Sequence, residues 1–318
     1  MKSVICTLFE GDYHYGVGAL TNSLYHYGFR GEVWVGYRGD LPPWAKDIKS
    51  KGRYDQYQVA EGCHLNFIKL DTNYHLTNYK PDFMLDLWKN YCDVADALFY
   101  FDPDIVVKSD WKYFEEWVGY GIALCEDVTS PVYSSHPLRM GWRKFYEPLG
   151  FKVQYETNLY VNGGFIGLTK DRQEFLVQWV KIQELMATKI GGLEKSNIGN
   201  QKTSIFVNQS GRNFLFSHTD QDAINITIMF NDFDYTFRGK EAMDIIPGGY
   251  TMSHAIGGVK PWRKKMLLSF FQTGIRPRLT DKLFWQFANS PISLYSFLGL
   301  RLKQFDLFLA SVFSRYLG

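Results

Sequence analysis

Asp102 and Asp104, separated by Pro103, interrupt an apolar run from Phe99 to Val107. A short apolar run bounded by turn residues reads as a buried strand. Side chains two apart on an extended chain point the same way, so these carboxylates can face one spot. Pro103 has no N–H and a fixed φ, which suits a strand end or a bulge. Two carboxylates on one side repel unless a cation or a proton sits between them, and a divalent cation is the economical partner. The alternative is a turn in which Asp-Pro-Asp only breaks the strand.

The elements that must position this pair follow from patterning. Ser3 to Phe9 reads as a first strand, with a turn at Glu10-Gly11-Asp12. Tyr13 to Tyr27 carries Val17, Leu20, Leu24 and Tyr27 at helical spacing and stops at Gly28. Glu32 to Tyr37 is a second strand, and this β-α-β start predicts a parallel α/β sheet. Leu41-Pro42-Pro43 opens a short helix, Asn66 to Leu70 is a strand, and Pro81 to Cys92 is helical. Leu98 to Phe101 then delivers the aspartates, and Gly121 to Cys125 is a strand ending at Glu126-Asp127. Thr129 to Gly150 is expected as a loop with one helix around Trp142. Asn158 to Thr169 alternates apolar residues around Gly163-Gly164, and a helix runs from Asp171 to about Thr188. A loop follows from Gly191 to Asn200, then a helix from Asp220 to Phe230 and a strand from Asp244 to Ala255. There is no internal repeat and no low-complexity segment.

Composition narrows the class. The 318 residues are 46% hydrophobic and 17% aromatic, enough for a sizeable core with apolar surface to spare. The net charge of +2 implies no partner, and no nucleic-acid partner is expected. Its distribution is uneven: from Lys260 onward there are ten Lys/Arg against two acids, leaving 25 against 31 before it. Residues 263–318 read as a basic, aromatic tail of two amphipathic helices separated near Ser290-Pro291. Such a tail suits an anionic membrane surface, or else packs on the body or forms an oligomer contact. Cys6, Cys63, Cys92 and Cys125 form no C-x-x-C pair, which argues against zinc and a dithiol site; the apolar surroundings of Cys6, Cys92 and Cys125 favour buried free thiols, in a reducing compartment. No run is long and apolar enough for a signal peptide or a membrane span. Asn208-Gln-Ser and Asn225-Ile-Thr match the glycosylation pattern, which is without consequence in the expected cytoplasmic location.

Further motifs flank the aspartates: Thr7 to Tyr13, Val161-Asn162-Gly163-Gly164-Phe165, Thr219-Asp220-Gln221-Asp222-Ala223 and His254-Ala255-Ile256-Gly257-Gly258-Val259-Lys260-Pro261-Trp262. Ligands of open parallel sheets bind beyond the carboxyl ends of the strands, where Thr7 to Tyr13 and the aspartates lie. In this order and spacing the chain resembles the nucleotide-sugar glycosyltransferases of the GT-A fold, most closely glycosyltransferase family 8, over about residues 3 to 262. The resemblance implies a Rossmann-like α/β fold, with a mostly parallel mixed sheet flanked by helices. It also implies a catalytic domain over 1–262, followed by the tail.

Position by position, the resemblance assigns Asp102, Asp104 and His254 to Mn²⁺ or Mg²⁺, an O,O,N set that suits Mn²⁺. Lys260 and the backbone of Gly257 would hold the donor diphosphate. Thr7, Leu8 and Tyr13 fall in the uridine-facing region, and Lys80 is a candidate diphosphate or ribose contact. Asn162, Gly163 and Gly164 match the sugar-binding turn, and Asp220, Gln221 and Asp222 the donor-sugar segment, with Gln221 near the anomeric carbon. The implied reaction moves a sugar from a UDP-sugar to a glycan or lipid-linked glycan with retention, peripherally at the inner membrane face. Structural alternatives stand beside several of these. Gly163-Gly164 can be a bulge, Asp220 and Asp222 can complement a helix dipole, and Tyr13 can be helix packing. A sugar nucleotidyltransferase would need a Gly-rich, basic loop after the first strand, which Phe9 to His14 is not. A non-catalytic carbohydrate-binding protein would not need the intact Asp102, Asp104, His254 and Lys260 set.

Overall fold

A computed structural model of the chain describes residues 1–196 and 214–316. Its elements begin with β1 (Ser3–Glu10), α1 (His14–His26), β2 (Gly31–Arg38), β3 (Lys49–Ser50), β4 (Asp55–Ala60), β5 (Cys63–Lys69), α2 (Lys80–Asn90), β6 (Ala97–Phe101), β7 (Ile105–Val107) and α3 (Trp111–Gly119). They continue with β8 (Ile122–Cys125), α4 (Pro137–Tyr146), β9 (Phe165–Thr169), α5 (Glu174–Ile190), α6 (Thr219–Phe230), β10 (Tyr235–Arg238), β11 (Met252–His254), α7 (Met266–Thr273), α8 (Leu279–Gln286) and α9 (Phe297–Tyr316). The chain divides into two compact units: Met1–Val4, Asp71–Tyr100 and Glu115–Gly239 form the first, and Ile5–Leu70, Phe101–Phe114 and Lys240–Gly318 the second.

In the second unit the strands run in the order β1-β2-β5-β4-β3. β1, β2 and β5 are parallel, with Ile5 level with Val33 and Val33 with Leu65. From Val4 to Phe9 every β1 residue is buried, as expected of a parallel strand covered on both faces. β4 and β3 close the edge antiparallel, and β3 is two exposed polar residues, a short edge that resists further pairing. α1 comes very close to the Asp-Pro-Asp turn. A Cβ on Gly16 would lie 2.2 Å from the Pro103 carbonyl oxygen, so only glycine permits this approach. Farther along α1, the Ser23 hydroxyl accepts from the Val107 N–H at 3.0 Å, anchoring β7. β7 pairs antiparallel with β11, His254 opposite Ile105.

In the first unit the order is β10-β8-β9-β6, with β10 parallel to β8 and β9 antiparallel to it. α2 packs on α5 and α5 on α6, burying Leu87, Trp179 and Ile182. The α/β class with parallel strands and flanking helices therefore holds in each unit.

Several local expectations change. Pro42-Pro43 lies in a turn and opens no helix. β3, β4 and β10 lie outside the expected strands. Of Asn158 to Thr169 only β9 is strand; before it Val161 makes an isolated bridge to Glu126, and its N–H and carbonyl are taken by the Asn225 side chain. Of Asp244 to Ala255 only β11 is strand. Asp244 has φ +54 and Gly248 φ +107, which no ladder accommodates. Among the described residues after 263 there are three helices rather than two, because Gly274 at φ +68 ends α7 early. All four cysteines are buried and free. The loop expected over 191–200 lies from residue 197 onward outside the described residues, as does Asn208.

Candidate functional site

The second unit assembles the metal motif. Ala255 N–H donates to the Asp104 carbonyl at 3.1 Å, continuing the β7–β11 ladder and bringing His254 to the aspartates. His254 Nε2 lies 3.2 Å from Asp104 Oδ1 and 3.8 Å from Asp102 Oδ2. One donor atom from each of the three side chains falls within 4.8 Å of the others, close enough for a common ion. His254 Nδ1 is buried and no described residue hydrogen-bonds to it, whereas Nε2 faces the Asp104 carboxylate, which can only accept and so places the ring proton on Nε2. Burial acts to raise the pKa of Asp104, but His254 and then Lys260 outweigh it and hold the carboxyl well below the usual range. Asp104 is thus an anion in the folded chain, as a ligand to a hard cation must be. Two carboxylate oxygens and an imidazole nitrogen fit Mn²⁺ well and Mg²⁺ acceptably.

Lys260 joins this centre through Asp104. Its Nζ donates to Asp104 Oδ2 at 2.6 Å and to the Ala255 carbonyl at 2.8 Å. Burial disfavours its charge, yet Asp104 overcomes that and raises its pKa. Gly257 and Gly258 stand just before it at φ +63 and +53, and a Cβ on either would meet nothing within 4 Å. Tyr13 sits edge-on to Trp262 at 5.3 Å and 78°, with Lys260 Nζ 6.0 Å from its ring. Arg263 pairs with Asp12 beside it, Nε to Oδ2 at 2.6 Å, and holds the Asp12 carboxyl below its usual range. Thr7 and Leu8 are buried in β1, and the Thr7 hydroxyl has no hydrogen-bond partner among the described residues.

The first unit assembles the other predicted residues at the start of α6. Lys80 is fully buried, and its Nζ donates to the Gly163 carbonyl at 2.8 Å and to Asp220 Oδ2 at 3.0 Å. Gly163 N–H donates to Gln221 Oε1 at 3.2 Å, and Gly164 N–H to Asn162 Oδ1 at 2.9 Å. A Cβ on Gly163 would lie 3.1 Å from Asp220 Oδ2, so glycine serves close approach of this turn to the helix. Asp222 accepts from the Tyr160 hydroxyl at 2.7 Å and from the His218 N–H at 2.9 Å.

Residues outside the expected set hold this cluster. Asp127 accepts from Asn162 Nδ2 at 2.7 Å and from the Thr129 N–H and hydroxyl, fixing the sugar-turn asparagine. Its signal was present: an acid just past the end of a strand, the argument already applied to Asp102. Asn78 and Thr219 bond to each other at 2.6 Å, with no pattern in sequence to pair them.

No protein-family model matches the sequence, and no curated protein matches it. Solved structures do match in fold. The bifunctional glycosyltransferase WbbM, in its apo structure, is similar over 95% of this chain at 14% identity, with a TM-score of 0.53. The fold is one that a glycosyltransferase uses. The glycosyltransferase GlyE of Streptococcus pneumoniae TIGR4 is similar over 97% of the chain at 15% identity, with a TM-score of 0.49. The chain spans 51% of the length of WbbM and 64% of that of GlyE.

Proposed function

We propose that the chain is a metal-dependent glycosyltransferase of the GT-A, family 8 type. It would move a sugar from a UDP-sugar to a glycan or lipid-linked glycan with retention of configuration. The observation that carries the reading is the convergence of Asp102, Asp104 and His254, with Lys260 beside them. Mn²⁺ or Mg²⁺ held there would supply Lewis-acid neutralisation of charge on the leaving diphosphate. Lys260 and the Gly257 backbone bind that diphosphate, and Thr7, Leu8 and Tyr13 face the uridine. Lys80, Asn162, Gly163, Gly164 and Asp222 bind and orient the donor. Asp220 and Gln221 stabilise positive charge at the anomeric carbon as the bond to the leaving oxygen lengthens. Attack comes from the face of departure, and a phosphate oxygen of the leaving group takes the acceptor's proton, so no strong general base is required.

Release of UDP from UDP-sugars in the presence of Mn²⁺ tests the assignment. Chelator is expected to abolish release, and Asp104→Ala to lower kcat by roughly a hundredfold or more. Near-normal turnover by Asp104→Ala would remove the metal centre from the mechanism.

Residues 263–318 are proposed to meet an anionic membrane surface. In support, α9 exposes Phe297, Leu298, Leu302, Phe305 and Phe308 alongside Arg301 and Arg315. Among the described residues no helix is long and apolar enough to cross a membrane.

A further inference from the structure

We infer that Lys260 is an internal counter-cation that couples the metal centre to its anionic ligand, holding Asp104 until a diphosphate accepts from the lysine instead. The inference rests on the metal-centre reading above. Asp104 divides its two oxygens: Oδ2 accepts from Lys260 Nζ at 2.6 Å, and Oδ1 faces His254 Nε2 at 3.2 Å. One carboxylate therefore serves an ammonium on one side and the candidate centre on the other.

A lysine is a compact point charge, and at this distance it offsets about one of the two negative charges of Asp102 and Asp104. The centre consequently attracts a divalent cation less strongly than the two carboxylates alone would. With a cation in place, two positive groups share Asp104 and repel each other. An anion that accepts from Lys260 relieves that repulsion. Its approach is open: a Cβ on Gly257 or Gly258 would meet nothing within 4 Å, and Val259 is exposed. A diphosphate therefore tightens the metal, and by reciprocity the metal tightens the diphosphate.

Mn²⁺ binding to the full chain, measured by calorimetry or electron paramagnetic resonance without and with saturating UDP, tests this. UDP is expected to tighten Mn²⁺ binding by wild type by roughly tenfold or more. Lys260→Met is expected to bind Mn²⁺ alone about tenfold more tightly than wild type, with the UDP effect reduced by a similar factor. Lys260→Arg keeps the charge and is expected to keep most of the wild-type pattern. Lys260→Gln is made in parallel in case the methionine variant does not fold, and the wild-type coupling is measured independently of both. If UDP leaves wild-type Mn²⁺ affinity unchanged, or a folded neutral variant binds Mn²⁺ no more tightly, Lys260 is not the coupler and the metal centre stands. If no Mn²⁺ binds, or binding ignores Asp104→Ala, the metal-centre reading and the coupling fall together.

Discussion

Asp222 shows how one buried side chain sets a property of the whole fold. It is fully buried in the first turn of α6, and burial raises its pKa from 3.8 to about 7, with Asp220 and Asp127 adding to the shift. Below about pH 4 the acid is protonated in both the folded and the unfolded chain. Between about pH 4 and 7 the unfolded chain loses that proton while the folded one keeps it, so stability falls across this window and then levels. Asp82, raised to about 6 by burial, contributes with the same sign. Asp222→Asn keeps a carbonyl for the His218 N–H and an amide N–H that can donate to the Tyr160 oxygen. The variant is expected to remove its share of the decline, on the order of a few kcal/mol, so its Tm advantage should grow from pH 4.5 to pH 8. Parallel Tm profiles for variant and wild type would show that Asp222 is charged in the fold. In sequence this residue is one of two acids opening a helix, which dipole complementarity explains equally well. Only its burial separates the two accounts.

At the scale of elements, α1 does the most positioning. Gly16 lets it meet the Asp-Pro-Asp turn, and a Cβ on Gly18 would fall 2.2 Å from Leu294 Cδ2. Asn22, fully buried between these roles, donates to the carbonyls of Phe287 and Ile292 at 2.7 and 2.9 Å and accepts from the Ile292 N–H at 2.7 Å. Asn22→Ala would leave these buried backbone groups unpaired, at about 1–3 kcal/mol each, and a drop in Tm of several degrees or more is expected. An unchanged Tm would mean that 287–292 is not held by this amide. The helical spacing of Val17, Leu20 and Leu24 made α1 legible as a helix, since it buries an apolar face. Its glycines and Asn22 carried no such signal, because their partners lie 87 to 276 positions away in the chain.

For the molecule as a whole, the basic, aromatic C-terminal segment is not uniform. Tyr295 stacks on Tyr15 at 4.9 Å and 10°, and Asp281 pairs with Lys264 at 2.6 Å, so residues up to about 296 are tied into the second unit. Leu268, Phe271, Ile275 and Leu279 are exposed before α9, and on α9 Leu298, Leu302, Phe305 and Phe308 share a helical face. Replacing Leu302 and Phe305 together by Glu is expected to abolish co-sedimentation with phosphatidylglycerol vesicles while leaving Tm within a few degrees, since both side chains are exposed. Retained vesicle binding, or a shift from dimer to monomer in its place, would assign the face to another partner. Chain patterning alone determined the α/β class, the strand that carries Asp102 and Asp104, the helix that starts at Asp220, and the basic end. Periodicity and turn residues are local, and they encode local structure. Only the tertiary structure decided that His254 comes within 3.2 Å of Asp104 across the β7–β11 ladder, that Lys260 claims the other oxygen of that carboxylate, and that Asp127 holds Asn162. These pairs are 35 to 156 residues apart, and what joins them is the packing of strands and turns, which no short window of sequence contains.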